Sequence, residues 1–148
     1  MITHPQHSPH PALGIDHGEA RIGIAATDDF GILAHPVETL DVNKENPVER
    51  IAQLVELRGI RTLVIGLPLR MDGSEGSSAL KVRKFAAALA ERVKHIPLIF
   101  VDESFTTSTA AAKLHEAGRS AKSQKIIIDQ VAAVEILNLW MGEERDFQ

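Results

Sequence analysis

Three apolar runs of strand length open the folded part of the chain, over residues 13–16, 21–27 and 32–40. Short polar turns at residues 17–20 and 28–31 separate them. Consecutive strands joined by such short turns must pair antiparallel. Pro36 has no backbone N–H to donate to a neighbouring strand, so the third run is expected at the edge of the sheet.

The pattern then changes to alternating helices and strands. Asn46 is expected to cap a helix that has Pro47 at its first position and that ends at Gly59. Continuous apolar runs predict buried strands at residues 62–67 and 98–102. Further helices are predicted after the polar loop 71–78, at about 107–117 and at about 124–142; the first of these is expected to bury Leu80, Phe85, Leu89 and Val93.

Three antiparallel strands followed by two strand–helix units predict an α/β fold. We expect a mixed five-stranded sheet with helices on both faces, which is the ribonuclease H-like arrangement. The domain is expected over residues 13–142. Residues 1–12, rich in His and Pro, are expected to be a disordered tail, and residues 143–148 a C-terminal tail.

Composition narrows the class of protein. The chain has 148 residues, a net charge of −4 and no cysteine, which excludes disulfides, thiolate zinc sites and a cysteine nucleophile. It contains no apolar run of the ~20 residues needed to span a membrane and no hydrophobic signal region. A cytoplasmic location without membrane contact is therefore expected.

Three carboxylates lie where an acid is costly unless it has a partner. Asp16 ends the first strand, Glu103 follows the strand at 98–102, and Asp129 begins the apolar face of the last helix. Should they converge, Mg²⁺ or Mn²⁺ is the expected partner, since both prefer carboxylate oxygen. Two cations ~3.5–4 Å apart would suit phosphoryl transfer. The sequence thus predicts a metal-dependent enzyme that acts on phosphodiesters.

Each acid also has a structural explanation. Asp16 could form a turn, Glu103 could be an exposed acid at a strand end, and Asp129 could stabilise the start of its helix. Because strand side chains alternate, only one of Asp102 and Glu103 can join the cluster directly, and Glu103 lies farther out. His17 is expected to be a turn histidine rather than a proton carrier.

Five basic residues are candidates for contacts to a nucleic-acid backbone. Arg21 follows the first turn, and Arg70 lies in the loop after the strand at 62–67. Arg119, Lys122 and Lys125 cluster just before the Asp129 helix. Such residues could offset the acidic total locally and bind phosphates, although a solvated surface charge is the alternative for each.

Four segments resemble one known family. GIDHGEARIGIAATD, VIGLPLRMDGSEG, FVDESFTTSTA and IIIDQVAAVEIL follow in order and spacing the motifs of the YqgF family, also called RuvX. The likeness extends from Leu13 to Leu139. It implies a ribonuclease H-like fold related to Holliday-junction resolvases and a hydrolase that matures the 5′ end of pre-16S ribosomal RNA during ribosome biogenesis.

The family's acidic positions fall on Asp16, Glu103 and Asp129. Two positions depart from the family's usual pattern. Ser104 stands where an arginine usually follows the Asp-Glu pair, and His17 stands where a small aliphatic residue is common. The first departure puts phosphate affinity or substrate preference in question and leaves the carboxylates intact.

Two alternatives stay open beside the ribosomal-RNA nuclease. One is a resolvase-like nuclease that cuts branched or single-stranded DNA and, as a resolvase, would need a symmetric homodimer rather than a monomer. The other is a nucleic-acid-binding ribosome-assembly factor without catalysis. Oligomeric state would test the first, and cleavage of labelled RNA in the presence of Mn²⁺ would test the second.

Overall fold

The computed structural model describes the backbone of residues 8–103 and 121–146, and the side chains of those ranges other than 121–126 and 144–146. Within these ranges the chain forms five strands and three helices. The strands are β1 (Ala12–His17), β2 (Arg21–Thr27), β3 (Ala34–Asp41), β4 (Thr62–Leu67) and β5 (Leu98–Asp102). The helices are α1 (Pro47–Arg58), α2 (Ser77–Arg92) and α3 (Ala121–Asp146).

The strands form one mixed sheet in the order β3-β2-β1-β4-β5. The central strand β1 pairs antiparallel with β2 and parallel with β4, and β5 pairs parallel with β4. Strand β3 lies at the edge, and Pro36 pairs with Ala25 just after a shift in register. The predicted mixed sheet and the edge position of Pro36 are confirmed.

Alternate residues of the strands enter two separate hydrophobic cores. Leu13 and Ile15 of β1 belong to a core shared with α1 and α2, to which α1 contributes Ile51. Ala12 belongs to a second core on the other face, which α3 covers with Ile136 and its neighbours. Helices therefore lie on both faces of the sheet, as predicted.

Two glycines let α3 approach the sheet at backbone distance. A Cβ built on Gly14 would lie 2.8 Å from the Ala133 carbonyl oxygen, and one built on Gly23 would lie 1.9 Å from the Asp129 carbonyl oxygen. No real side chain tolerates such separations. Glycine at these positions is therefore what allows α3 to rest directly on β1 and β2.

Helix α1 begins and ends as its sequence predicts. Asn46 accepts a hydrogen bond from the Glu49 backbone N–H at 3.3 Å, and Gly59 ends the helix with a φ of 63°.

Helix α2 has a different buried face from the predicted one at its start. Leu80 is 68% exposed, because the face packed on the core runs through the preceding residue, Ala79, and continues through Val82, Ala86 and Leu89. The three-and-four-residue spacing of this stripe leaves Leu80 outside it. Phe85 is half-buried, and Leu89 and Val93 are buried as expected.

The N-terminal boundary was predicted too late in the chain. His10 is only 6% exposed, and its Nδ1 lies 2.9 Å from the Thr27 hydroxyl. The Thr62 hydroxyl donates to the Pro9 carbonyl at 2.7 Å, and the rings of His10 and Trp140 lie 5.1 Å apart. These contacts give the His10 imidazole and the Pro9 carbonyl hydrogen-bond partners inside the fold, so this polar segment can be buried. Residues 8–12 therefore belong to the fold, and residues 1–7 lie outside the described ranges.

The last helix is longer than predicted. It runs from Ala121 to Asp146 rather than over about 124–142, so residues 143–146 are helix and not tail. The helix predicted at 107–117 lies outside the described residues. None of the helices described has the length and apolar content needed to cross a bilayer.

Candidate active site

Three strands place Asp16, Gly23 and Thr39 in one row across the sheet. Asp16 lies opposite Gly23 in the β1–β2 ladder, and Gly23 lies opposite Thr39 in the β2–β3 ladder. Helix α3 crosses this row at Asp129 and Gln130. The Gln130 amide donates to the Thr39 hydroxyl at 3.1 Å, while the Asp129 backbone packs against Gly23. The row therefore fixes Asp129 on the same face of the sheet as Asp16.

Glu103 reaches this face from the far side of β4. Its backbone N–H donates to the Leu67 carbonyl at 3.2 Å and so continues the β4–β5 pairing by one residue. Its side chain occupies the space over Gly66, where a Cβ would lie 2.5 Å from Oε2. Val101, two residues earlier, belongs to the core under α3, whereas Asp102 is exposed. Alternation along the strand thus directs Glu103 toward α3.

Asp16 and Glu103 share a hydrogen bond between their carboxyl groups. Burial raises the pKa of Glu103 to about 9, and the charge of Asp16 and the hydrogen bond to it act in the same direction. Burial also raises the pKa of Asp16; the charge of Asp129 adds to this, and the hydrogen bond from Glu103 opposes it. At neutral pH the two carboxyl groups therefore hold one proton between them.

Asp129 has a resident cationic partner. The Arg21 Nε donates to Asp129 Oδ2 at 2.8 Å, between side chains that are 35% and 16% exposed. Burial raises the pKa of Asp129, and Arg21 opposes that rise. Asp129 lies close enough to Asp16 to affect its pKa, so it is electrostatically part of the cluster. In the free protein Arg21, which is predicted to contact phosphate, is paired with this carboxylate.

The three acids do not form a preformed metal site. Among the described residues, no group of three Asp, Glu or His side chains has the geometry to hold an ion. The structure brings Asp16 and Glu103 into contact and places Asp129 beside them, with its carboxylate turned to Arg21.

A cleft of about 330 Å³ opens beside the carboxyl pair. Asp16 and Glu103 line it together with the β1–β2 turn, Pro68 and the start of α2. His17 also lines it and packs against Phe85 at 4.6 Å between ring centroids. Burial lowers the pKa of His17, so its imidazole is neutral at pH 7. The two acids are therefore open to a ligand that enters this cleft.

Sequence reasoning did not assign Glu19, Ser78 or Lys81 to this cleft. Helical periodicity puts Lys81 on the outer face of α2, and this is correct, since the residue is exposed. No pattern within the chain reports that the first turns of α2 lie beside the β1–β2 turn. Only the packing of the two segments does so.

Of the other four basic residues predicted to contact nucleic acid, Arg70 alone has a described side chain. Arg70 is exposed and lies beside the start of α2, where its Nε would be 2.7 Å from a Cβ on Gly76. It is absent from the described lining of the cleft. Arg119 and the side chains of Lys122 and Lys125 lie outside the described residues.

The fold defines a class of protein. The chain aligns with a solved structure described as Thermus thermophilus RuvC in complex with Holliday junction substrate, at a TM-score of 0.52 and 13% sequence identity. The alignment covers 90% of this chain and 94% of that one. This likeness shows the ribonuclease H-like fold, as predicted.

Sequence comparison defines the family. Residues 10–143 match the family model "RuvX: Holliday junction resolvase". A protein of Mycobacteroides abscessus is 46% identical over 135 residues, covering 90% of this chain and 81% of that one. A protein of Cutibacterium acnes is 47% identical over 125 residues, covering 84% and 78% respectively. Both relatives are named "Putative pre-16S rRNA nuclease". The chain belongs to the RuvX family, and the resemblance noted in its motifs is confirmed.

Proposed function

We propose that this protein is a divalent-cation-dependent nuclease that hydrolyses phosphodiester bonds during maturation of the 5′ end of pre-16S ribosomal RNA. The observation that carries the proposal is the hydrogen-bonded pair of carboxyl groups of half-buried Asp16 and buried Glu103 at the cleft, with Asp129 beside them. Acids held this close are unfavourable in the free protein, which is typical of sites that bind a cation.

The donor set fits Mg²⁺ or Mn²⁺ in its chemistry. Asp16, Glu103 and Asp129 offer only carboxylate oxygens, which these ions prefer. The proton between Asp16 and Glu103 neutralises part of a charge that a cation would neutralise better. We therefore propose these three residues as the ligands and the catalytic acids. A bound cation, or two as we propose, would supply Lewis-acid activation of water and stabilise charge at phosphorus.

Other residues of the site position the acids and influence their ionisation. Gly66 leaves room for the Glu103 side chain, and Gly23 holds the Asp129 backbone against the sheet. Arg21 favours the ionised form of Asp129 before any ligand arrives. The neutral imidazole of His17 lines the cleft without adding charge.

The names of the relatives support ribosomal RNA as the substrate. The backbone of such a substrate must be held by cations, because the site itself is acidic. Arg70, Arg119, Lys122 and Lys125 remain our proposed contacts beyond the cleft, together with Arg21 once it is free of Asp129.

Cleavage of an end-labelled RNA spanning the 5′ end of 16S ribosomal RNA tests the proposal. The native protein with Mn²⁺ is expected to cut it, and Asp16→Asn and Asp129→Asn are each expected to lose at least about 100-fold in rate. Asp29→Asn, which changes an exposed acid of the β2–β3 turn, is the matched control and should cut normally. Binding without cutting by the native protein would favour the assembly-factor alternative.

The family description favours a second candidate, a resolvase of branched DNA. Such an enzyme must present two sites to two strands, so it must be a symmetric dimer. A labelled four-way DNA junction, assayed beside sedimentation of the protein, separates the two candidates. Paired symmetric cuts by a dimer would favour the resolvase, and a monomer that cuts only RNA would exclude it.

A further inference from the structure

An ion pair at the rim of the cleft joins the β1–β2 turn to α2 rather than two strands of the sheet. Glu19 belongs to the β1–β2 turn and Lys81 to α2, and both line the cleft. The Lys81 Nζ donates to Glu19 Oε1. Their side chains are 76% and 58% exposed, so the pair lies at the mouth rather than in the interior.

The charges around the cleft make this lysine important. Among the described residues that line it, three are carboxylic acids, Asp16, Glu19 and Glu103, and Lys81 is the only lysine or arginine. A polyanion that enters therefore meets acids on the floor and one cation at the rim. Lysine is a flexible point charge that binds phosphate readily.

Lys81 can exchange its ion pair with Glu19 for one with a phosphate at little cost in free energy. Ion pairs between solvent-exposed side chains contribute little to stability in general and are screened by salt. A phosphodiester offers the same ammonium group another anionic oxygen. When a strand enters, its phosphate would replace Glu19, itself an anion, as the partner of Lys81.

We propose that Lys81 binds a backbone phosphate of the strand whose scissile bond faces Asp16 and Glu103, and that Glu19 holds Lys81 at the rim until the strand arrives. This inference rests on the proposed nuclease function. It adds a phosphate-binding residue on α2, and it makes the Glu19–Lys81 pair a competitor that the substrate must displace.

The test measures binding rather than cleavage. Fluorescence anisotropy of a labelled single-stranded RNA is followed in a chelating buffer, so that no metal-dependent cutting occurs. Lys81→Ala is expected to weaken binding about fivefold at low salt and to reduce the salt slope by about 0.7, the loss of one phosphate contact on a single strand. Lys94→Ala is the matched control, since Lys94 also pairs with an exposed glutamate, Glu91, away from the cleft.

Glu19→Gln gives the opposite prediction. Removing the competitor should tighten RNA binding about two- to threefold, and most of that gain should vanish in the Lys81→Ala background. The matched change Glu91→Gln should have no such effect. A thermal midpoint equal to that of the native protein in each variant shows that the fold is unchanged.

The outcomes separate this inference from the proposed function. Equal affinities for Lys81→Ala and Lys94→Ala, in a native protein that binds and cuts RNA, would overturn the role of Lys81 alone. Weaker binding by Glu19→Gln would do the same. A native protein that neither binds nor cuts RNA would overturn both proposals.

Discussion

The central strand β1 has a polar cluster at each end, and the two clusters differ in how their acids are stabilised. At its start, the Thr27 hydroxyl accepts the Ala12 backbone N–H at 2.8 Å and contacts the buried His10. Next to it, Asp28 is partly desolvated, yet backbone N–H groups such as that of Leu33, at 2.7 Å, hold its pKa below the ordinary value.

At the end of β1 two acids are each other's partners. Asp16 meets Glu103 across Gly66, and the pKa of each is raised by burial. Both clusters have an acid just inside or just beyond a strand end, so that position alone does not indicate function. The two clusters differ in the partners of their acids. Hydrogen bonds from N–H groups stabilise the ionised form of a carboxylate, whereas a neighbouring carboxylate destabilises that form unless a cation binds.

The largest expected effect is an opposite outcome for activity and stability when one acid of each cluster is changed. Glu103→Gln should lower the cleavage rate at least about 100-fold while leaving the free energy of unfolding unchanged or higher, because a neutral amide can lie beside Asp16 without the proton that Glu103 must take up. Asp28→Asn should keep activity within about twofold and lose about 1 kcal/mol of stability with its charge-assisted hydrogen bonds. Initial rates and urea unfolding measure both. Equal loss of activity in the two variants would abolish the distinction between the clusters.

The next largest expected effect is the stability gained on metal binding, which should depend on the acids at the end of β1 and not on Asp28. With Mn²⁺ at about 100 times its dissociation constant, the native protein should gain about 2.7 kcal/mol of stability. Asp28→Asn should keep this gain, and Asp16→Asn should lose most of it. Thermal unfolding with and without a chelator provides the measurement. A gain that survives in Asp16→Asn would place the cation elsewhere.

The glycine under α3 is expected to have the next largest effect. Gly23→Ala places a Cβ against the Asp129 carbonyl, so α3 must shift, at a cost of about 2 kcal/mol together with loss of activity. Gly142→Ala is the matched control in α3, where a Cβ meets no atom within 4 Å and should stabilise the helix by up to about 1 kcal/mol. Retention of full activity in Gly23→Ala would show that the position of Asp129 is not critical.

The smallest expected effect is on the pH dependence of stability without metal. Because the folded-state pKa of Glu103 is raised from 4.5 to about 9, the folded protein binds more protons than the unfolded chain between those values. The contribution of Glu103 to stability is then complete below pH 4.5 and is lost as the pH rises toward 9, by at least about 1 kcal/mol. Urea unfolding at pH 5, 7 and 9 should show this fall. Glu103→Gln should flatten it and Asp28→Asn should not; a native profile that rises over this range would contradict the shared proton.

Much of the fold followed from local patterns. Short polar turns required antiparallel β1, β2 and β3, and the missing N–H of Pro36 placed β3 at the edge. Asn46 and Gly59 defined α1 through capping chemistry that depends on neighbouring residues only. His10 was misjudged because its partner Thr27 is 17 residues away, and no local pattern records that contact.

The sequence by itself determined the order of the elements, the family and which acids are candidates, since periodicity, capping and motif order are properties of contiguous residues. Only the tertiary structure decided how those acids are partnered. Arg21 and Asp129 are 108 residues apart, and Glu19 and Lys81 are 62 apart. Contacts of this kind depend on strand register, on the space left by Gly66 and Gly23, and on the packing of helices, which no single segment of the chain specifies.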